Sequence, residues 1–287
     1  MGLKLVVVSP NGAVTGGVEA LHQLVSTANE IEPGSAAIYY YPAPLTHGAY
    51  ASYNCPAVDS VPADALVVLP EIWPNLAQQL PQNRCALWWL SVDNFGSHGQ
   101  TDLSGISLHL CQSQYAWEFV KERIGGQQMM LTDWIDVLPV DIPRYPRVVV
   151  NPAKDAGLMR PFMASNSDVD FVELRGLDKL GVAELYASSQ VYIDFGRHPG
   201  RDRPPREASA AGCVVLSVEL GAACFQDDMP LDSCYKFNTL NDAQVALRMV
   251  LADWETHHQA QSEYRQVIAN QKNVFYSEVG ELLASLD

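Results

Sequence analysis

Four guanidinium groups fall within ten residues of this chain: Arg197, Arg201, Arg203 and Arg206, in the segment GRHPGRDRPPRE. The apolar run VYIDF before them reads as a buried strand. Pro204 and Pro205 suit the first turn of a helix, which Gly212 ends before a second strand at Val214–Ser217. Arginines beside a helix N-terminus make a place for a polyanion, because fork-shaped donors and the helix dipole both favour phosphate. Glu207, among them, can accept hydrogen bonds from sugar hydroxyls. The plainer reading is a surface web of ion pairs, with Asp202 and Glu207 as partners.

Other residues with usable chemistry also stand at strand ends. Asn11–Gly17 (NGAVTGG) follows an apolar run and opens a helix, and Gly16 and Gly17 let backbone amides approach a ligand there. It is neither a GxGxxG fingerprint nor a Walker loop, and a simple turn explains it as well. Lys154, in NPAK, offers a point charge for phosphate or is an ordinary solvated lysine. Arg175 and Gly176, in LRGL, suit a flat ring approached by backbone and guanidinium, or a turn. Asp93 closes WWLSVD, where it can bind a sugar, act as a base, or form an Asx turn. His198 lies inside the arginine loop. Asp168 and Asp170 form the one DxD, at the start of an expected strand.

The elements that must position these residues alternate. Strands are expected at Leu5–Ser9, Ala37–Tyr41, Ala65–Leu69, Ala86–Val92 and Leu108–Cys111, with helices near 18–31, 72–80 and 115–124. Prolines 139, 143 and 146 mark an extended linker. The alternation then restarts with strands at 147–151, 169–174, 191–195 and 214–217, and ends in a helical stretch from about 242 with a break near 257–261. Repeated βα units with buried strands imply an α/β fold of two Rossmann-like parallel-sheet domains facing a cleft, 1–139 and 140–255, with a helical tail at 256–287. In such sheets ligands bind outside the carboxyl ends of strands.

Composition limits the partners. The 287 residues are 48% hydrophobic and 18% charged, as in a folded soluble chain. With 33 acidic and 18 basic side chains, the net charge of −15 argues against nucleic acid as the main partner and against simple electrostatic attachment to anionic lipid. Residues 1–139 hold only 4 of the basic groups, so an anion is expected on the second half, which holds 14. Six cysteines without CxxC or zinc spacing read as reduced core residues of a cytoplasmic protein. No run reaches membrane-spanning length, which leaves peripheral membrane contact open.

On these residues the second half resembles the nucleotide-sugar domain of GT-B glycosyltransferases of the group-1, mostly retaining type. RVVVNPAK is similar to their first strand and basic loop, DFVELRGLDKLGVAELYASSQVYIDF to the next strands and helix, and REASAAGCVVLS to their acidic helix. YIDFGRHPGRDRPPREA resembles bacterial capsule and lipopolysaccharide biosynthesis proteins more narrowly, and TGGVEALHQL resembles the family's glycine loop and first helix.

The resemblance implies a glycosyltransferase moving a sugar from a nucleotide-diphosphate donor to a glycan or lipid-linked acceptor, without cofactor or metal. Residues 1–139 would form the acceptor domain. Glu207 would bind the ribose, and Lys154 with Arg203 or Arg206 the diphosphate. Arg175 and Gly176 would border the base, and Gly16 and Gly17 would close over phosphate and sugar. Asp93 stands where the family contacts the transferred sugar. The family has another glutamate eight positions before Glu207, where this chain has Pro199. The sugar contact would then pass to His198 or Asp202, so His198 and Asp93 are the expected catalytic residues. Pro199 also favours a non-catalytic nucleotide- or glycan-binding protein of the same fold. A phosphotransfer enzyme is a third class, but no nucleophile accompanies the arginines.

Overall fold

The computed structural model describes residues 2–42, 50–99, 101–155 and 157–286. They form two compact units, one of residues 1–134 with 271–287 and one of residues 135–270. The C-terminal stretch is therefore not a separate tail. Its last helix belongs to the second unit up to Asn270 and to the first from Gln271.

The first unit is a six-stranded parallel sheet of β1 (Leu5–Pro10), β2 (Ala36–Tyr41), β3 (Leu66–Pro70), β4 (Cys85–Trp89), β5 (Ile106–Cys111) and β6 (Gln128–Met130), in the order β2-β1-β3-β4-β5-β6. Leu5 pairs with Ala36 on one side and Leu66 on the other. The strands read as unbroken apolar runs because both faces are covered. Trp88 and Trp89 show the alternation. Trp88 stacks on Phe275 and donates Nε1 to the Leu131 carbonyl at 2.8 Å, while Trp89 packs in the cluster on the other face. Helix α1 (Gly16–Ile31) is capped by Thr15, whose hydroxyl accepts from Val18 N, and buries Val18, Leu21, Leu24, Val25 and Ala28. Helix α2 (Gln114–Arg123) follows β5.

The second unit holds β7 (Tyr145–Val150), β8 (Asp170–Glu173), β9 (Ser189–Asp194), β10 (Val214–Val218) and β11 (Lys236–Phe237), all parallel, in the order β11-β10-β9-β7-β8. Around them lie α3 (Met159–Ser165), α4 (Lys179–Ala187), α5 (Arg203–Ala210), α6 (Leu240–Ala252), α7 (Trp254–Ala260) and the first turns of α8 (Ser262–Ala284). In α8, Phe275, Val279, Leu282 and Leu283 join the core of the first unit, and Glu278 accepts from Thr132 N and Oγ1 at 2.7 Å each.

Both sheets reverse their winding once, between β1 and β3 and between β7 and β9. Loops leaving the carboxyl ends of strands diverge there and open a crevice. The helix expected at Ile72–Leu80 is a 3-10 turn, Pro74–Gln79, since Pro74 has no amide to continue a longer helix. Cys85, Cys111 and Cys213 are core residues as expected, but Cys224 and Cys234 are exposed, and all six are free thiols. No helix among the described residues is long and apolar enough to cross a membrane.

Candidate functional site

The crevice of the second unit gathers the chemistry. After β7, Asn151 accepts from Ala153 N at 3.1 Å and starts the short turn Pro152–Lys154, which delivers Lys154. After β9, Gly196 donates its amide to Asp194 Oδ1 at 2.7 Å. A Cβ on Gly196 would fall 2.8 Å from that oxygen and 3.2 Å from the Lys154 backbone, so only glycine lets the two loops meet. Lys154 Nζ donates to both oxygens of Asp202 at 3.1 Å. Asp202 is the N-cap of α5, but its carboxylate makes no capping bond and is directed to Lys154 instead.

Beneath this pair lies a buried polar cluster. Tyr192 donates its hydroxyl to Asp194 Oδ2 at 2.7 Å. His198 Nε2 lies 2.8 Å from Ser217 Oγ and 3.8 Å from Asp194 Oδ1, and Nδ1 lies 3.5 Å from Asp202 Oδ2. Burial works against a charge on His198. Asp194 and Asp202 outweigh that, with Lys154 opposing them, and the imidazole is held above its ordinary pKa. Burial likewise works against the charge on Asp202, but His198 and Lys154 hold it below the carboxylate range.

His198, expected to be catalytic, is placed at the centre of this cluster. Its ring is buried and touches neighbouring carboxylates and a serine. The backbone there is left-handed, with φ +49°, and the loop is locked by Ala222 N donating to the His198 carbonyl at 2.8 Å. A Cβ at Gly221 would overlap the carbonyl oxygens of Arg197 and His198.

The arginines divide by burial. Arg206, expected to hold phosphate, is only 1% exposed and donates Nε to the Asp202 carbonyl and Nη2 to the Arg201 carbonyl, at 3.2 and 2.6 Å. Its guanidinium lies inside the fold and clamps the loop. Arg203, the first residue of α5, is half-buried, and Arg197 is exposed. Asp202 therefore answers Lys154 at its carboxylate, where an arginine web was the plainer expectation.

Glu207, half-buried on α5, borders a second hollow of about 160 Å³. Lys179, Val182, Ala183 and Tyr186 of α4 form its opposite wall, and Lys154 is not among its lining residues. Arg175 and Gly176 follow the edge strand β8. Gly176 has φ +68°, and Arg175 is exposed and pairs with Glu173 at 3.3 Å. The DxD lies at the amino end of β8, where Asp168 holds Arg248 and Asp170 pairs with Arg147. No group of three acidic, histidine or cysteine side chains that could hold a metal occurs among the described residues.

In the first unit, Gly16 and Gly17 start α1 directly behind β1, and Asp93 is exposed on the turn Val92–Asn94 after β4. Sequence reasoning passed over Glu71, the first residue after β3 and so at this unit's reversal. It is buried, accepts from Asn94 Nδ2 at 3.2 Å and Leu90 N at 3.4 Å, and is pushed up to about 7 by burial. Its signal is positional: it is the first polar residue after an apolar strand.

No protein-family model matches the sequence, and no curated protein matches it. Solved structures match along nearly the whole chain. HepE of Anabaena in complex with UDP aligns with a TM-score of 0.70 at 12% identity, covering 99% of this chain and 100% of that one. The fold is GT-B. Sucrose-phosphate synthase of Thermosynechococcus elongatus shares the GT-B fold at TM-score 0.68 and 12% identity, with 99% of each chain covered. The lipopolysaccharide outer core galactosyltransferase WaaB does so at 0.67 and 10%, also over 99% of each. At these identities the likeness is one of GT-B architecture.

Proposed function

We propose that this chain is a glycosyltransferase that binds a nucleotide-diphosphate sugar on its second unit and transfers the sugar to a glycan or lipid-linked acceptor. The observation that carries the reading is the convergence of Lys154, the loop after β9 and the N-terminus of α5 at the winding reversal of the second sheet. HepE, which shares the fold, has been solved with UDP and with UDP-glucose, and that supports a uridine nucleotide as the first donor to test.

Each residue has a role in this reading. Lys154, Arg203 and the dipole at the N-terminus of α5 stabilise the negative charge that grows on the departing diphosphate. Glu207 accepts the ribose hydroxyls. Arg175 and the backbone at Gly176 border the base. On the first unit, Gly16, Gly17 and Asp93 stand at strand ends on the acceptor side, and Asp93 contacts the sugar. Charge stabilisation by side chains and the helix dipole makes a divalent metal unnecessary. The resemblance to group-1 enzymes supports retention of anomeric configuration, a cytoplasmic location and a role in polysaccharide assembly.

Pro199, in place of the family's glutamate, favours a second reading, a non-catalytic nucleotide-sugar-binding protein. Release of nucleoside diphosphate from UDP-, GDP-, ADP- and dTDP-sugars separates the two. Slow hydrolysis of one donor supports the enzyme, and tight binding without turnover, with or without added glycan, supports the second reading.

A further inference from the structure

We infer that donor binding is coupled to protonation of His198: the diphosphate draws Lys154 away from Asp202, and Asp202 closes on Nδ1 of His198, which takes a proton from solvent. The inference rests on the donor site proposed above. It makes His198 a positioning residue that acts through Asp202.

The arrangement carries it. Asp202 is shared between two cationic partners, with Lys154 the nearer at 3.1 Å and His198 Nδ1 at 3.5 Å, which is too long for a formed hydrogen bond. With the Ser217 hydroxyl donating to the Val218 carbonyl at 3.1 Å, its oxygen is left to accept the Nε2 proton of His198. In the neutral ring that leaves the Nδ1 lone pair facing a carboxylate, acceptor against acceptor. Buried Nδ1 has no hydrogen-bond partner in this state. A proton on Nδ1 converts the contact into a charge-assisted bond.

The charged groups facing the ring come from every element around it. Asp194 ends β9, Asp202 caps α5 and Lys154 follows β7, while Ser217 of β10 is neutral. Lys154 is a cation that acts on His198, and it opposes protonation. A bound diphosphate brings negative charge to Lys154 and frees Asp202, and both changes favour the imidazolium. Before binding, the imidazole is already held above its ordinary value. The uptake is therefore expected above the ordinary imidazole range.

The test is calorimetric titration with UDP-glucose, which has no group titrating between about pH 6.5 and 8.5. The titration is repeated in buffers of different ionisation enthalpy, and then with GDP-, ADP- and dTDP-sugars. The expected result is uptake of about half a proton per nucleotide and a fall in affinity of about threefold per pH unit. His198→Asn suits the left-handed backbone and cannot take the proton, so it should still bind with no dependence on buffer. Imidazole ¹⁵N shifts of the unmodified protein give an independent readout, with His198 moving to imidazolium on binding. Binding without buffer dependence or ¹⁵N change overturns this inference alone, as does dependence that persists in His198→Asn. No binding of any of the four nucleotide sugars overturns the donor site and this inference with it.

Discussion

Replacing Glu71 with glutamine should make the first unit more stable at neutral and alkaline pH, although the change removes a buried charge that accepts two hydrogen bonds. Glu71 is 3% exposed, and burial raises its carboxyl from 4.5 to about 7. The native state therefore binds this proton more tightly than the unfolded chain does. The stability linked to it is complete below about pH 4.5 and is lost as pH rises through 7. A shift of that size corresponds to about 3 kcal/mol at 1.36 kcal/mol per pKa unit. Glutamine does not titrate, and the Asn94 amide can turn its oxygen toward it. The stability of Glu71→Gln relative to the parent should thus rise by about 3 kcal/mol from pH about 4.5 to pH about 8. Urea unfolding followed by tryptophan fluorescence reads this unit, because every tryptophan except Trp254 lies in it. Other carboxylates cancel in the difference. Two stability curves that run parallel across this range would refute the reasoning.

Arg206→Met should lower stability by about 2–4 kcal/mol, the cost of losing charge-assisted bonds to two loop carbonyls. Nucleotide affinity of the folded variant should change less than about tenfold, and a stable variant that no longer binds would return Arg206 to the phosphate site. Turnover should survive chelation, since Lys154, Arg203 and the α5 dipole supply the positive charge. Activity lost in EDTA and restored by magnesium or manganese would overturn this.

The strands of both sheets were legible because parallel strands covered on both faces become continuous apolar runs, and LVVVSP, LVVLP and CALWW are such runs. The arginine loop was legible as a site through its charge, but not the division of labour within it. Arg203 and Arg206 look alike in sequence, and only the curl of the loop from Arg201 to Asp202 buries one of them among carbonyls. His198 read as a loop residue, since nothing local shows that the carboxyl end of β9 would sink it between Asp194 and Asp202. The edge strands β6 and β11 escaped because three and two residues give too short a period. The path of α8 was hidden for another reason. Its apolar face from Phe275 to Leu283 was visible, but periodicity does not say which core it joins.

The central claim is that a nucleoside diphosphate binds the second unit with Glu207 on its ribose. Calorimetric affinity and melting temperature, both measured with UDP on the parent and on Glu207→Ala, test it most directly. A carboxylate accepting sugar hydroxyls contributes about 1.5–3 kcal/mol, so affinity should weaken about ten- to a hundredfold while melting temperature hardly moves. Unchanged affinity with a lowered melting temperature would make Glu207 a structural ion-pair partner and contradict the account.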